Sequence, residues 1–371
     1  MKKVKLGEVC EIRIGKTPNR SQTLYWGGDY PWLSISDMKG KILCTTKEKI
    51  TQEAVQKEKM QIVSKGTVVM SFKLSIGKVG ILDENMYTNE AIANFVVKNN
   101  KMLFNEYLYY ALQGMNFDSL TDRAVMGKTL NKAKLNNLSI VYNEPFMQQQ
   151  IVLRLDGVNK LIESRKQQLS ELSKLVKSRF NEMFGSKKFD KVSISELVDD
   201  RIETAKKKFD QHDTIKYIDI SSIDNKNYKM TGFQEYMLNQ APSRAQQHIR
   251  KGDIVVSTVR PNLKNIAITE LDDENLVASS GFCVLRALKC LPEYLFAIIC
   301  SDRFTNKMTN IVTGANYPAI KSSDIMNYIV PLPPIQLQNE FADFVAQVDK
   351  SQFACQKAIK LWRNSLKSSI I

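Results

Sequence analysis

Basic and polar side chains recur in loops that also contain glycine or proline, a composition typical of surfaces that contact phosphates and base edges. Arg260 and Asn262 are the strongest candidates, because arginine can bind guanine and asparagine can bind adenine through two hydrogen bonds. Lys73 to Ser75 stand at the matching strand end in the first half. The other candidates for nucleic-acid contact are Lys16, Thr17, Arg20, Lys78, Lys128, Arg244, Lys264, Asn316 and Tyr317. For any single lysine, a solvated surface position explains the residue equally well.

An aromatic cluster follows the first of these loops. Tyr25, Trp26, Tyr30 and Trp32 could stack on bases. Beside two glycines and a proline, however, such a cluster is more typical of a loop that packs onto the domain core. We therefore predict a structural role for it.

Residue patterns for catalysis and metal binding are incomplete. Asn143-Glu144-Pro145-Phe146 resembles the N-P-P-F motif of amino-methylating DNA methyltransferases, but Glu144 replaces the first proline and no glycine-rich methyl-donor loop precedes it. Gly127-Lys128-Thr129 matches the end of a phosphate-binding loop, whose first glycine would stand where the chain has Asp122. The chain has 2 histidines, far apart, and 6 cysteines without a C-x-x-C spacing, which predicts reduced thiols and no metal site. We predict a non-catalytic chain with no cofactor of its own.

The formal net charge of +14 at pH 7 favours a polyanionic partner such as nucleic acid. The excess of lysine and arginine is spread along the chain, so solvated faces account for part of it. No apolar run approaches the roughly 18 residues of a membrane span, and the lysine-rich start lacks the apolar block of a secretory signal. We therefore expect a soluble, cytoplasmic protein, long enough for two domains of roughly 150 residues.

The two halves of the chain are near-copies of each other. The segment VSKGTVVMSFKLSIGKVGIL (63–82) matches IRKGDIVVSTVRPNLKNIAI (249–268) without a gap, and NEYLYYAL (105–112) matches PEYLFAII (292–299). The openings KVKLGEV (3–9) and KVSISEL (191–197) also correspond. All pairs keep one order and an offset of about half the chain, which indicates a tandem duplication.

Each half begins with a unit of mixed α and β structure, in which short strands alternate with a few helices. The apolar patterns predict strands over Ile62 to Phe72, Ala91 to Val97 and Ile254 to Val259, and a helix over Asn105 to Met115. We predict the two units at 1–145 and 186–333. Each unit is followed by one long helix, at 146–185 and at 334–371.

Heptad spacing on both long helices predicts that they pair with each other. The first helix carries one row of Leu155, Ile162, Leu169 and Val176 and a companion row of Ile151, Val158 and Leu172 that Arg165 interrupts. The second helix carries Phe341, Val348, Cys355 and Trp362, with a companion row of Phe344 and Ala358 that Ser351 interrupts. Such stripes are buried against another helix, so we predict an antiparallel coiled coil and approximate two-fold symmetry. Two surface helices packed on separate domains are the alternative.

The motifs together resemble the DNA-specificity subunit of Type I restriction-modification systems. The resemblance lies in GKTPNRSQTLYWGGDYPWLS (15–34) and SFKLSIGKVGI (71–81) in the first half. In the second half it lies in YIDISSID (217–224), APSRA (241–245), STVRPNLKN (257–265), ASSGF (278–282), GANYPAI (314–320) and PLPPIQLQNEF (331–341). The resemblance extends over the whole chain, including its duplicated layout.

This resemblance implies two target-recognition domains, each reading one half of a split, asymmetric DNA sequence. It implies that the helices set the spacer and dock two methyltransferase subunits, with restriction subunits joining outside. S-adenosylmethionine, ATP and magnesium would be bound by those partners. The alternatives are a free-standing tandem-repeat DNA-binding regulator and a self-sufficient methyltransferase, which would need the missing donor loop. Glu144-Pro145 and the partial match at 147–150 also predict that the first long helix begins differently from the second.

Overall fold

The computed structural model describes residues 2–117, 122–124, 127–185, 188–199, 201–313 and 318–370, and of 122–124, 127–129 and 367–370 only the secondary structure. The chain divides into two compact units, residues 1–166 with 356–371 as unit 1 and residues 167–355 as unit 2. Both have the mixed α/β structure that the sequence predicts.

Unit 1 is built from short strands and short helices. Its strands β1 to β12 are, in order, Lys2–Lys5, Cys10–Ile14, Trp26–Leu33, Ile42–Leu43, Glu48–Ile50, Val68–Ser71, Val79–Leu82, Tyr87–Thr88, Ile92–Val97, Asp122–Ala124, Gly127–Thr129 and Ser139–Tyr142. Its short helices α1 to α4 are Leu6–Val9, Gln52–Lys57, Asn105–Gln113 and Lys132–Asn137. The long helix α5, Pro145–Phe184, begins in this unit and ends in unit 2.

Strand β6 lies in the middle of one sheet of unit 1. A five-stranded sheet has the order β2-β9-β6-β7-β4, in which β6 is antiparallel to both neighbours. A three-stranded sheet has the order β5-β3-β8, and β1 pairs with β12 immediately before the long helix.

Unit 2 has a similar arrangement of sheets and helices, with strands of different lengths. Strands β13 to β24 are Asp190–Ser193, Val198–Asp199, Thr214–Ile218, Ile223–Asp224, Lys229–Met230, Gln234–Met237, Ala245–His248, Ile254–Ser257, Ile266–Ile268, Leu276–Ser279, Phe282–Ala287 and Ile329–Leu332. Helices α6 to α10 are Ile194–Leu197, Ala205–Lys208, Pro292–Ile299, Asp302–Asn310 and Ser322–Met326, and the long α11 is Ile335–Ile370. Its sheets have the orders β14-β23-β20-β21 and β18-β15-β22-β19.

The central strand of each unit is buried on both faces. In β6, Val68 and Met70 pack into the core under α3, whereas Val69 packs into a second core with Leu33. In β20 the residues alternate in the same way between two cores. Because side chains alternate across a strand, a continuous apolar run is required where both faces are covered. This explains why the two strands gave the clearest match between the halves.

Each unit contains the start of one long helix and the end of the other. In unit 1, Ile151 and Leu155 from the start of α5 share one core with Leu366 from the end of α11. In unit 2, Phe180 near the end of α5 lies 5.4 Å, between ring centres, from Phe341 near the start of α11. Each unit by itself therefore shows the meeting of opposite helix ends that an antiparallel pair requires.

The buried stripe of α11 is wider than the predicted one, because a second companion row is also covered. Phe341, Val348 and Cys355 are buried as a first row, and Val345, Gln352, Ile359 and Leu366 are buried or half-buried as the second. In the predicted companion row, one residue earlier, Phe344 and Ala358 are half-buried, and Ser351, which interrupts that row, is exposed. Core positions on a paired helix are separated alternately by three and four residues, and the row that contains the buried Ile359 begins four residues after Phe341. On α5, Leu155 and Ile162 are buried and Arg165 is exposed. The other predicted positions of α5 are half-buried, namely Ile151, Val158, Leu169, Leu172 and Val176. Trp362 on α11 is also half-buried.

A buried glutamine fixes the start of each long helix. Gln148 is 0% exposed, accepts a hydrogen bond from the Phe104 main-chain N–H (3.0 Å) and donates to Met102 O (2.7 Å). Gln338 is 1% exposed, accepts from the Leu291 N–H (2.9 Å) and donates to Pro333 O (2.8 Å). The expectation that the first long helix begins differently is therefore wrong. The glutamine, rather than the preceding proline pair, carries the shared geometry.

Candidate nucleic-acid interface

The loop after β20 holds Arg260 and Asn262 at the surface of unit 2. The Arg260 N–H donates to Pro318 O (2.8 Å), and Pro261–Leu263 form a single 3-10 turn. The Ser257 hydroxyl donates to Val259 O (2.9 Å). The main chain of the loop is thus fixed by its own hydrogen bonds.

The side chains of this loop remain available to a ligand. Arg260 and Asn262 are exposed, and neither side chain bonds to a residue that the structure describes. Arg260 has φ 50° and ψ 63°, the left-handed region, which costs a non-glycine residue about 1–2 kcal/mol. A guanidinium and an amide two residues apart have the groups needed to bind guanine and adenine edges, and such contacts remain a prediction for this loop.

Lys264 belongs to the framework of the loop rather than to its free surface. Its ammonium forms an ion pair with Asp302, the first residue of α9, at 2.5 Å, and its side chain is 21% exposed. The hydrogen bond from Lys264 lowers the pKa of Asp302, and the charge of Lys177 contributes further. The Lys264 ammonium is therefore already paired with a carboxylate within the protein.

The corresponding loop of unit 1 follows β6. The Ser71 N–H donates to Lys78 O (2.9 Å), and the Lys78 N–H donates to the Ser71 hydroxyl (3.0 Å). Lys78 Nζ donates to Ile35 O at 3.2 Å, and Lys73 Nζ lies 5.4 Å from the ring centre of Phe72. Between these two lysines, Leu74 has φ 62° and is 67% exposed. Sequence reasoning missed Leu74 because it considered polar residues alone, although the gap-free match pairs it with Arg260.

The loop that contains Lys16, Thr17 and Arg20 is held onto the sheet by its basic residues. The Arg20 guanidinium lies 3.8 Å from the ring centre of Trp26 and donates to both carboxylate oxygens of Glu48, at 2.5 and 3.1 Å. Lys16 Nζ pairs with a carboxylate oxygen of Glu58 at 2.8 Å. The side-chain hydrogen bond to Glu48 raises the pKa of Arg20. Both cations are therefore engaged by carboxylates, and Thr17 is half-buried beside them.

The aromatic cluster packs this loop onto the core, as the sequence predicts. Trp32 is 1% exposed, and its indole N–H donates to Lys16 O (3.1 Å). Trp26 meets the Trp32 ring edge-on at 5.1 Å between ring centres. Tyr30 and Tyr87 make a second edge-on contact at 6.0 Å.

The remaining predicted contact residues are spread over other loops. Arg244 is exposed, and its carbonyl accepts from the Ser280 N–H at 2.8 Å. Lys128 lies in β11, which forms a hairpin with β10, and its side chain lies outside the described residues. Asn316 and Tyr317 also lie outside them.

Within the described ranges, no group of three or more His, Cys, Asp or Glu side chains is arranged to hold a metal ion. The cysteines there are unpaired, and burial raises the pKa of Cys283 and Cys290 to about 11. None of the helices in the described residues has the length and apolar character needed to cross a membrane.

Comparison with known proteins identifies the fold and the family. The family described as Type I restriction modification DNA specificity domain matches residues 1–174 and again residues 186–361. A Type I restriction enzyme MjaIX specificity subunit from Methanocaldococcus jannaschii is 24% identical, over 96% of this chain and 88% of that protein.

Two solved structures have the same fold. A chain from a study of complex assembly and conformational transition in the type I R-M system superimposes with a TM-score of 0.63 at 15% identity, covering 100% of this chain and 96% of that one. The S subunit of a Type-I restriction-modification system from M. genitalium gives 0.53 at 13% identity, with coverage of 100% and 96%. The protein belongs to the family of Type I restriction-modification DNA specificity domains, and it carries two copies of the domain.

Proposed function

We propose that this chain is the specificity subunit of a Type I restriction-modification enzyme and that each unit reads one half of a split, asymmetric DNA sequence. The observation that carries this proposal is the duplicated specificity domain, in which equivalent strands end in equivalent loops. The two loops differ in chemistry, since one carries Arg260 and Asn262 and the other carries Leu74 and Ser75. Different side chains on the two equivalent loops are expected to select different bases.

Affinity and sequence choice would come from different residues. The positive charge of the chain favours DNA through phosphate contacts, which are insensitive to sequence. The exposed side chains of the strand-end loops would contact base edges in the major groove. Because Lys16, Arg20 and Lys264 already pair with carboxylates, we assign them to the framework that positions these loops.

The long helices would set the spacer between the two half-sites and dock two methyltransferase subunits. Exposed apolar side chains on these helices support docking: Phe146 is 69% exposed, Leu153 65% and Phe353 67%. Exposed apolar groups on a long helix are typical of a surface that another protein covers. Restriction subunits would join through the methyltransferase.

The catalytic steps would be carried out by those partner subunits. We propose that S-adenosylmethionine, ATP and magnesium are bound by the methyltransferase and restriction subunits, and that this chain is non-catalytic. The sequence supports this division, because the N-E-P-F motif at 143–146 is not preceded by a methyl-donor loop. In the structure Pro145 opens α5, so this segment is the start of a helix.

The test is to reconstitute the chain with its methyltransferase and map the methylated adenines in random-sequence DNA. We expect one split motif with two specific tracts and a spacer of fixed length. The alternative, a free-standing DNA-binding regulator, predicts tight sequence-specific binding by the chain alone and no stable complex with a methyltransferase. A single continuous motif would contradict the two-reader proposal.

A further inference from the structure

Leu74 of unit 1 occupies the position that Arg260 occupies in unit 2. The gap-free match of 63–82 with 249–268 aligns the two residues. They follow β6 and β20, which lie in the corresponding sheet orders β9-β6-β7 and β23-β20-β21. Their φ angles are 62° and 50°, so the main chain also has the same unusual conformation.

Leu74 combines two unfavourable features. The left-handed region is rare for a bulky side chain, and glycine or asparagine adopts it with less strain. The side chain is also 67% exposed, whereas its neighbour Ile76 packs against the core of unit 1. Strained residues are typical of binding surfaces, where the local conformation serves a contact. Leu74 therefore needs an explanation outside the protein core.

We propose that Leu74 is a base-reading residue of unit 1 and that it selects a thymine through apolar contact with the 5-methyl group. The inference rests on the proposed function and names the chemistry of its first half-site. The methyl group is the apolar feature that distinguishes thymine in the major groove. A leucine side chain offers no hydrogen bond, so apolar contact is the recognition available to it. Lys73 and Lys78 flank it in the same loop, where cations favour nearby phosphates.

Uracil substitution tests this contact directly, because uracil pairs as thymine does and lacks only the methyl group. The first half-site is mapped with the reconstituted complex, and each of its thymines is replaced singly by uracil. At one position, the wild-type complex should methylate the uracil duplex roughly fourfold more slowly, as expected for the loss of one buried methyl contact. Leu74→Ala should be slower than wild type on the thymine duplex and insensitive to this replacement.

Two further variants separate the contact from general effects. Leu74→Met keeps an apolar side chain and should stay sensitive to the replacement. Ile62→Ala removes another exposed apolar side chain of unit 1, 47% exposed, and should behave as wild type. These comparisons use methylation rates of the full complex.

Two results would overturn the assignment. These are equal uracil sensitivity in wild type and Leu74→Ala at every thymine of the first half-site, and loss of the methyltransferase from the Leu74→Ala complex, which would make Leu74 a protein contact. A wild-type complex that methylates DNA without any split motif would overturn the proposed function itself. The two failures are therefore distinguished by the wild-type motif.

Discussion

Arg260→Ala should remove recognition of one base in one half-site while leaving the fold intact. The substitution deletes an exposed guanidinium that bonds to no described residue. The main-chain bond from Arg260 N to Pro318 O, 2.8 Å, and the turn at Pro261–Leu263 do not depend on the side chain. The left-handed conformation is as unfavourable for alanine as for arginine. The loop should therefore keep its shape.

The size of the effect follows from the hydrogen bonds that are lost. An arginine that binds guanine through two hydrogen bonds contributes about 1–3 kcal/mol of discrimination against other bases. At 1.4 kcal/mol per factor of ten, this corresponds to a roughly 5- to 150-fold loss of preference. Overall affinity should fall less, because contacts to phosphates remain.

The assay compares methylation rates of the reconstituted complex on duplexes that carry each base at each position of both half-sites. The Arg260→Ala complex should lose its preference for guanine at one position and keep the other half-site unchanged. Arg250→Ala is the matched control, because Arg250 is an exposed arginine near the opposite end of β20. It should leave every preference unchanged.

An unchanged motif for Arg260→Ala would refute the assignment of Arg260 as a base reader. Changes in both half-sites would refute the independence of the two units. Equal losses for Arg250→Ala and Arg260→Ala would indicate a general effect of charge.

Four further predictions concern the framework of the units. Gln338→Ala should lower the free energy of unfolding by on the order of 3 kcal/mol, since it leaves the buried Pro333 carbonyl and the partly buried Leu291 N–H without their side-chain partner. A loss below about 0.5 kcal/mol in urea denaturation would contradict this. Arg20→Ala removes the guanidinium 3.8 Å from the ring centre of Trp26 and should increase acrylamide quenching of tryptophan fluorescence, so unchanged quenching would count against the stacked arrangement. Burial raises the pKa of Cys283 from 9.0 to about 11, whereas Cys44 is exposed, so thiol reagents at pH 8 should modify Cys44 and spare Cys283. As the pH rises, the Cys283 thiol ionises in the unfolded protein before it ionises in the folded protein. The contribution of Cys283 to the free energy of unfolding should therefore decline between pH 9.0 and about pH 11. Denaturation midpoints that rise over this range would contradict the burial of this thiol.

Elements with a strong periodic pattern could be predicted from the sequence. The long helix expected from residue 146 to 185 is observed at Pro145–Phe184, and the helix expected from 105 to 115 at Asn105–Gln113. The strand expected over 62–72 is shorter, Val68–Ser71, because Val63 makes only an isolated bridge to Met86. Continuous apolar runs mark buried strands well, but they do not mark where the ladder begins.

Whether an individual site residue is paired within the protein could not be predicted, because its partner is distant in sequence. Arg20 pairs with Glu48 and Lys264 with Asp302, and neither carboxylate stands in a recognisable motif with its cation. The left-handed conformation of Leu74 is one that its residue type disfavours, so no sequence pattern indicates it. Composition identified the loops correctly as basic and polar. It did not separate the side chains that support a loop from those that remain exposed on it.

We propose that the long helices hold two separate readers at a fixed spacing. The most direct test removes one heptad from the 151–183 part of α5 and one from α11, and then maps the methylated motif. Seven residues shorten a helix by about 10 Å, which corresponds to about three base pairs. We predict that both specific tracts stay the same and that the spacer between them becomes about three base pairs shorter. A spacer of unchanged length, or a change of bases within either tract, would contradict the proposal that the helices set the spacer between two independent readers.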